Sequence, residues 1–151
     1  MPVNTAFEFV PIDRRRTVSK PRKSGITMVS DYQLGLASLS DLIEVAGHYI
    51  DLFKIATGTS RLFEKAHLQT KIEMLLANNI RPFLGGQFQE YVLHTMGVDA
   101  MPRHLSEAQA LGFDIIEISD NMVQLGQGLR QQLFDMVRDQ GMTPVGEIGD
   151  K

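Results

Sequence analysis

The stretch FDIIEISD, residues 113–120, decides how the rest of the chain is read. A β-strand alternates its side chains between two faces, so here Phe113, Ile115, Glu117 and Ser119 share one face while Ile116 and Ile118 take the other. Glu117 therefore faces what should be core. The same count over the last segment, TPVGEIGDK from Thr143, groups Val145, Glu147, Gly149 and Lys151, and in DLFKIATG from Asp51 it groups Lys54 with Leu52 and Ala56. Three strands thus end with an ionisable group on a buried face. An unpaired buried charge is expensive or neutralises itself, so this pattern calls for partners, a metal or a ligand.

Further β-like runs begin near Ile26, Leu52, Ile80 and Thr143, and between them the apolar spacing becomes helical. Leu39, Leu42, Ile43, Ala46 and Ile50 follow the i, i+3, i+4, i+7 rule behind a capping candidate, Ser38. Leu68, Ile72, Leu75 and Leu76 repeat it, as do Leu129, Leu133, Met136 and Val137. The third connection is longer and reads as two helical pieces broken around Gly97 and Pro102. Strands and helices alternating at intervals of roughly 26 to 33 residues are the mark of βαβ units on a parallel sheet.

A doubly wound sheet and a (β/α)8 barrel both satisfy that rhythm. The strands of a doubly wound sheet are covered by helices on both faces and read as almost unbroken apolar runs. A barrel accepts polar groups pointing inward near its C-terminal rim, where active sites lie. Lys54, Glu117 and Glu147 favour the barrel. The fold expected is therefore α/β of the (β/α)8 TIM-barrel type, with an N-terminal arm over residues 1–24 and a partial barrel over residues 25–151. A whole barrel takes about 250 residues, so this chain is expected to supply about the first five strands and four helices, in the order 1-2-3-4-5, with two outer edges unpaired or covered by another copy in a homo-oligomer.

The bulk composition narrows the function classes. With 43% hydrophobic and 22% charged residues the chain is an ordinary globular domain. No run spans a bilayer and the N-terminus lacks the order of a signal peptide, so no membrane partner and a cytoplasmic address are expected. The absence of cysteine removes thiol chemistry and leaves oxygen or imidazole for any metal, which favours a hard cation such as magnesium. Six of the fifteen basic residues crowd between Arg14 and Lys23, but with a net charge of −3 this reads as a solvated arm and not as a nucleic-acid surface.

DLIEVAGHYIDLFKIATGTS (41–60), GFDIIEISD (112–120) and GEIGDK (146–151) together resemble the phosphosulfolactate synthase family, and the resemblance runs in unbroken order from about Lys20 to the end. It implies a (β/α)8 barrel that adds sulfite to phosphoenolpyruvate with Mg2+, giving (2R)-phospho-3-sulfolactate in coenzyme M synthesis, which makes the protein a carbon–sulfur lyase. It implies Lys151 as general acid or base and matches Lys54 to the family's strand-two lysine. The acidic rim matches Asp31, Glu117, Asp120 and Glu147 as the metal-binding carboxylates, and the family's paired glycines match Gly85 and Gly86 at the substrate; Thr57 and Ser60, after strand two, could join them there or only cap the next helix. Four departures stand out, one of them ATGTS from Ala56 where the family has Gly-Trp-Gly-Thr-Ser. Asp31 is followed by Tyr32 and Gln33 where the family has lysine and glycine, LGGQ from Leu84 replaces Pro-Gly-Gly-Thr, and Asp150 replaces the first of two terminal lysines. The rim is thereby less positive for two anionic substrates.

The residues themselves leave other readings open. Glu117 could be answered by Lys54 across the sheet, Asp120 could cap a helix, and paired glycines most often only turn the chain. The whole could be a diverged barrel enzyme doing enolate chemistry on another phospho-acid, or a non-catalytic relative of the heat-stress type.

Overall fold

The computed structural model describes residues 6–147 except 12, 14, 16 and 18. Five strands, β1 Met28–Asp31, β2 Leu52–Ile55, β3 Arg81–Leu84, β4 Ile115–Ile118 and β5 Thr143–Gly146, form one parallel sheet in the order of the sequence. Between them run α1 Leu36–Ala46, α2 Lys65–Ala77, α3 Gly86–Met96, α4 Met101–Leu111 and α5 Gln127–Asp139. The third connection holds two helices, as its sequence suggested. Their break is made by Gly97, at φ 79°, while Pro102 sits harmlessly in the first turn of α4. Ser38 lies inside α1; the residue that opens that helix is Gly35.

The register shows which face each side chain takes. Ser30, Lys54, Phe83, Ile115 and Thr143 stand side by side, and so do Asp31, Ile55, Leu84, Ile116 and Pro144. Ile55, Leu84 and Ile116 of the second row, with Phe53 and Ile118, belong to one core cluster with Leu39 of α1, Leu68, Ile72 and Leu75 of α2, Val92 of α3, Leu105 of α4 and Leu133 and Val137 of α5. All five helices therefore pack on one face. That is the arrangement of a barrel wall; a doubly wound sheet would carry helices on both faces. The chain forms part of a TIM-type barrel, with β1 and β5 paired on one side only among the described residues.

Two basic residues of the N-terminal segment tie it beneath the sheet. Arg22 pairs with Asp51 at 2.9 Å and donates to the carbonyls of His48 and Tyr49, and Lys20 donates to the carbonyl of Gly47 at 2.6 Å. Burial pushes the Asp51 carboxyl up, but the Thr27 amide and the Arg22 guanidinium outweigh it and hold the group below the usual carboxylate range. No described helix is long and apolar enough to cross a membrane.

Candidate functional site

On the helix-free face, near the C-terminal ends of their strands, Lys54 of β2 and Glu117 of β4 meet across β3. The Lys54 ammonium lies 2.8 Å from one carboxylate oxygen of Glu117 and 2.7 Å from the other, with the two side chains only 12% and 6% exposed. The middle of this face is packed, since Phe83 and Ile115 are buried, and it opens toward β1, where Met28 and Ser30 are exposed. The alternation of the sequence placed both charges inward, and each is the other's partner.

The paired glycines make this meeting possible. A Cβ on Gly85 would sit 3.2 Å from Cε of Lys54 and 2.9 Å from the carbonyl oxygen of Ile55, so any larger residue would obstruct the lysine. A Cβ on Gly86 would fall 2.5 Å from Oγ of Ser119. The Gly86 amide, at the start of α3, donates to Glu117 at 2.7 Å. The Gly86 amide thus meets the protein's own carboxylate, held where a helix N-terminus favours negative charge.

Glu147 follows β5 two residues beyond Val145, the register neighbour of Glu117, and accepts from the Asn121 side chain at 2.8 Å. Asp120 lies in the loop after β4 and pairs with Arg130 of α5. Asp31 is not brought to this group: it belongs to the helix-covered face, where it forms a fully buried ion pair with Lys71 of α2 and accepts from the Leu34 amide at 2.6 Å. Thr57 is exposed just past β2, with φ at 52°, a conformation a β-branched residue rarely adopts. Ser60 turns away from the pair into the helical layer, its hydroxyl buried. Lys151, with Asp150 and Gly149, lies outside the described residues.

Among the described residues no three or more His, Asp and Glu side chains gather as a metal cluster. Glu117 on β4 and Glu147 just past β5 are the carboxylates of this face that could hold magnesium, which commonly takes one or two carboxylates and completes its shell with water and substrate oxygens.

Two organising residues escaped the sequence reading. Lys71 holds Asp31 and also donates to the Leu34 carbonyl at 2.7 Å, which fixes the loop leaving β1. Its signal was present: it lies three residues after Leu68 and four before Leu75, on the apolar stripe of α2. Glu90 of α3, fully buried, accepts from the Ser119 hydroxyl and from the amides of Met122 and Val123, gathering the loop that carries Asp120 and Asn121. Nothing in the polar sequence of α3 distinguished it.

Against known proteins, the profile of the (2R)-phospho-3-sulfolactate synthase family matches residues 15–151. The phosphosulfolactate synthase of Methanothermobacter thermautotrophicus is 34% identical over 146 residues, which are 97% of this chain and 54% of that protein. That of Methanocaldococcus jannaschii is 30% identical over the same shares. An Arabidopsis thaliana protein named for its association with heat stress is 25% identical over 82% of this chain and 43% of its own length. The chain spans about half the length of the relatives it matches.

Proposed function

Given that this chain belongs to the (2R)-phospho-3-sulfolactate synthase family, we propose that the protein it represents is a lyase that joins sulfite to phosphoenolpyruvate. The observation that carries the reading is the buried Lys54–Glu117 pair, backed by the Gly86 amide, at the C-terminal end of a barrel sheet where such enzymes do their chemistry. A purely structural sheet gains little from two inward charges that apolar residues could replace.

In the reaction proposed, the sulfur lone pair of sulfite forms a bond to C3 of phosphoenolpyruvate. The π pair of the C2–C3 bond moves onto C2 and its carboxylate, and a proton then closes C2. Magnesium, held by Glu117 and Glu147, would supply positive charge for the substrate's carboxylate and phosphate. Lys54 orients the carboxylate from beside Glu117, and the exposed Thr57 hydroxyl offers a donor at the same rim. Lys151 gives the proton to one face of C2, which fixes the configuration; a lysine among apolar or cationic neighbours has its pKa lowered enough to do so near neutral pH.

Calorimetry with phosphoenolpyruvate, with and without Mg2+, and an assay for phosphosulfolactate test this reading together. Binding that needs magnesium, with turnover lost in Lys151→Ala while binding persists, is the expected result. Unchanged turnover in Lys151→Ala removes the proton-donor role. A second reading, a non-catalytic binder, is favoured by the resemblance to the heat-stress-associated protein, and it predicts no turnover with any nucleophile.

A further inference from the structure

The two carboxylates that could hold magnesium are placed by different means. Glu117 lies within β4, against Lys54 and the Gly86 amide. Glu147 stands one residue past the end of β5, where its backbone amide donates to the Ile118 carbonyl at 3.0 Å. Its carboxylate accepts from the Asn121 side chain at 2.8 Å. An ionised carboxylate can only accept, so it is the Asn121 nitrogen that faces it, and a neutral amide orients a carboxylate without cancelling its charge as an ammonium would. What fixes Asn121 therefore bears on Glu147.

Asn121 lies in the loop after β4, and loops are ordinarily the mobile parts of a fold. This one is gripped from α3. The Ser119 hydroxyl donates to one oxygen of the Glu90 carboxyl group; the amides of Met122 and Val123 donate to the other, Val123 at 2.8 Å. The Ser119 amide donates to the Gln89 side-chain oxygen at 3.3 Å. These donors bracket Asn121 on both sides in the chain, so its backbone has little room to shift. Glu90 is fully buried, and a buried carboxyl group is costly unless its oxygens are met, as they are here. It also stands about one turn after Gly86, whose amide holds Glu117. One stretch of α3 thus holds both sides of the rim.

We propose that Glu90 and Asn121 are positioning residues: Glu90 fixes the Ser119–Val123 loop, and through it Asn121 keeps Glu147 on the face of Glu117, where both can serve one cation. Their role rests on the reading of Glu117 and Glu147 as the magnesium carboxylates, and neither residue touches metal or substrate in it. Carboxylates that ligate a metal are themselves hydrogen-bonded, and loss of such a partner typically lowers metal affinity roughly 10–100-fold. An apolar side chain at position 90 would fill the space at less cost; what a carboxyl group adds is its hold on three donors.

Two measurements test this, the first of them independent of any metal. It is NMR of the Asn121 side-chain amide, whose signals are assigned by their loss in Asn121→Ala. Glu147→Ala is expected to move these signals, because their acceptor is gone. In a Glu90→Leu background, with the loop released, the same substitution should leave them unmoved. Glu90→Gln, whose oxygen still accepts from both loop amides, should restore the response. If Glu90→Leu does not fold, Glu90→Asp, which keeps the carboxyl group but shortens its reach, takes its place. The second measurement is calorimetry with Mg2+. Binding about tenfold weaker is expected in Asn121→Ala and Glu90→Leu, and binding within about threefold of the parent in Glu90→Gln. Asn121 signals that ignore Glu147→Ala, a response that survives Glu90→Leu, or Mg2+ bound as tightly by Asn121→Ala as by the parent would each overturn the proposal. A parent protein that binds no Mg2+ yet shows the Glu90-dependent response of Asn121 would overturn the magnesium reading and uphold the positioning.

Discussion

Consider replacing Glu117 by glutamine. The side chain keeps its shape and, at Oε2, an oxygen for both the Gly86 amide and the Lys54 ammonium, but the negative charge is gone and an amide nitrogen replaces Oε1 and meets that ammonium donor to donor, in a site where the lysine is 12% exposed. Breaking a buried ion pair from one side costs about 3–5 kcal/mol, because the surviving charge is left without compensation. Glutamine retains one of the two contacts, so about 3 kcal/mol is expected. Lys54→Met should cost a similar amount by leaving the carboxylate with the Gly86 amide alone. The double variant carries neither charge, and its loss should fall short of the sum of the singles by about 2 kcal/mol or more. Urea unfolding of the four proteins at pH 7, compared at equal m-values, measures this directly. Losses that add to within about 0.5 kcal/mol would refute the reasoning, since the pair would then contribute nothing as a pair.

Four further outcomes are expected. Gly86→Ala places a Cβ 2.5 Å from Oγ and 2.8 Å from Cβ of Ser119, and overpacking of this kind should cost about 1–3 kcal/mol in the same unfolding assay. Lys71→Met leaves Asp31 buried and unpaired and should cost about 3–5 kcal/mol, with much of the loss recovered in Lys71→Met with Asp31→Leu. His104 has its pKa lowered from 6.5 to about 4, so the unfolded chain takes up its proton first as pH falls. Its contribution is complete above pH 6.5 and shrinks toward pH 4, by up to about 3 kcal/mol, and His104→Phe should flatten that part of the stability profile. Finally, under the proposed function, Tyr32→Lys with Asp150→Lys should raise the apparent affinity for sulfite, most clearly at low salt; strong sulfite use by the unaltered protein would show that these two positions do not limit it.

How far the sequence foretold this site depends on which periodicity each residue obeys. Lys54 and Glu117 were found because a strand's period of two is strict, and a charge that breaks an apolar face stands out. The same count applied to ITMVSD puts Asp31 with Val29, on the face away from Ser30; grouping Asp31 with the rim carboxylates followed the family resemblance and not the strand. The mutual pairing of Lys54 and Glu117 was one of two open readings. Choosing it required the register of β2, β3 and β4, which depends on loop lengths and not on local pattern. The burial of Glu90 arises from where two loop amides and a serine hydroxyl converge, a tertiary fact with no period. The two glycines, assigned to the substrate by the resemblance, lie against Lys54, Ser119 and Glu117 of the protein itself.

The sequential order of the sheet also bears on how the chain is made. Each strand pairs with the one synthesised next, after an interval of roughly 24 to 32 residues, and each intervening helix settles on the same side. No strand must wait for a distant partner to be inserted between it and its neighbour. On the ribosome, then, the β1–β2 unit can assemble before β3 has emerged, and every later unit finds a finished edge to join. The Lys54–Glu117 pair is the exception. Lys54 stays without its partner until β4 arrives, so the central charge of the site is secured only two strands after its own strand has paired.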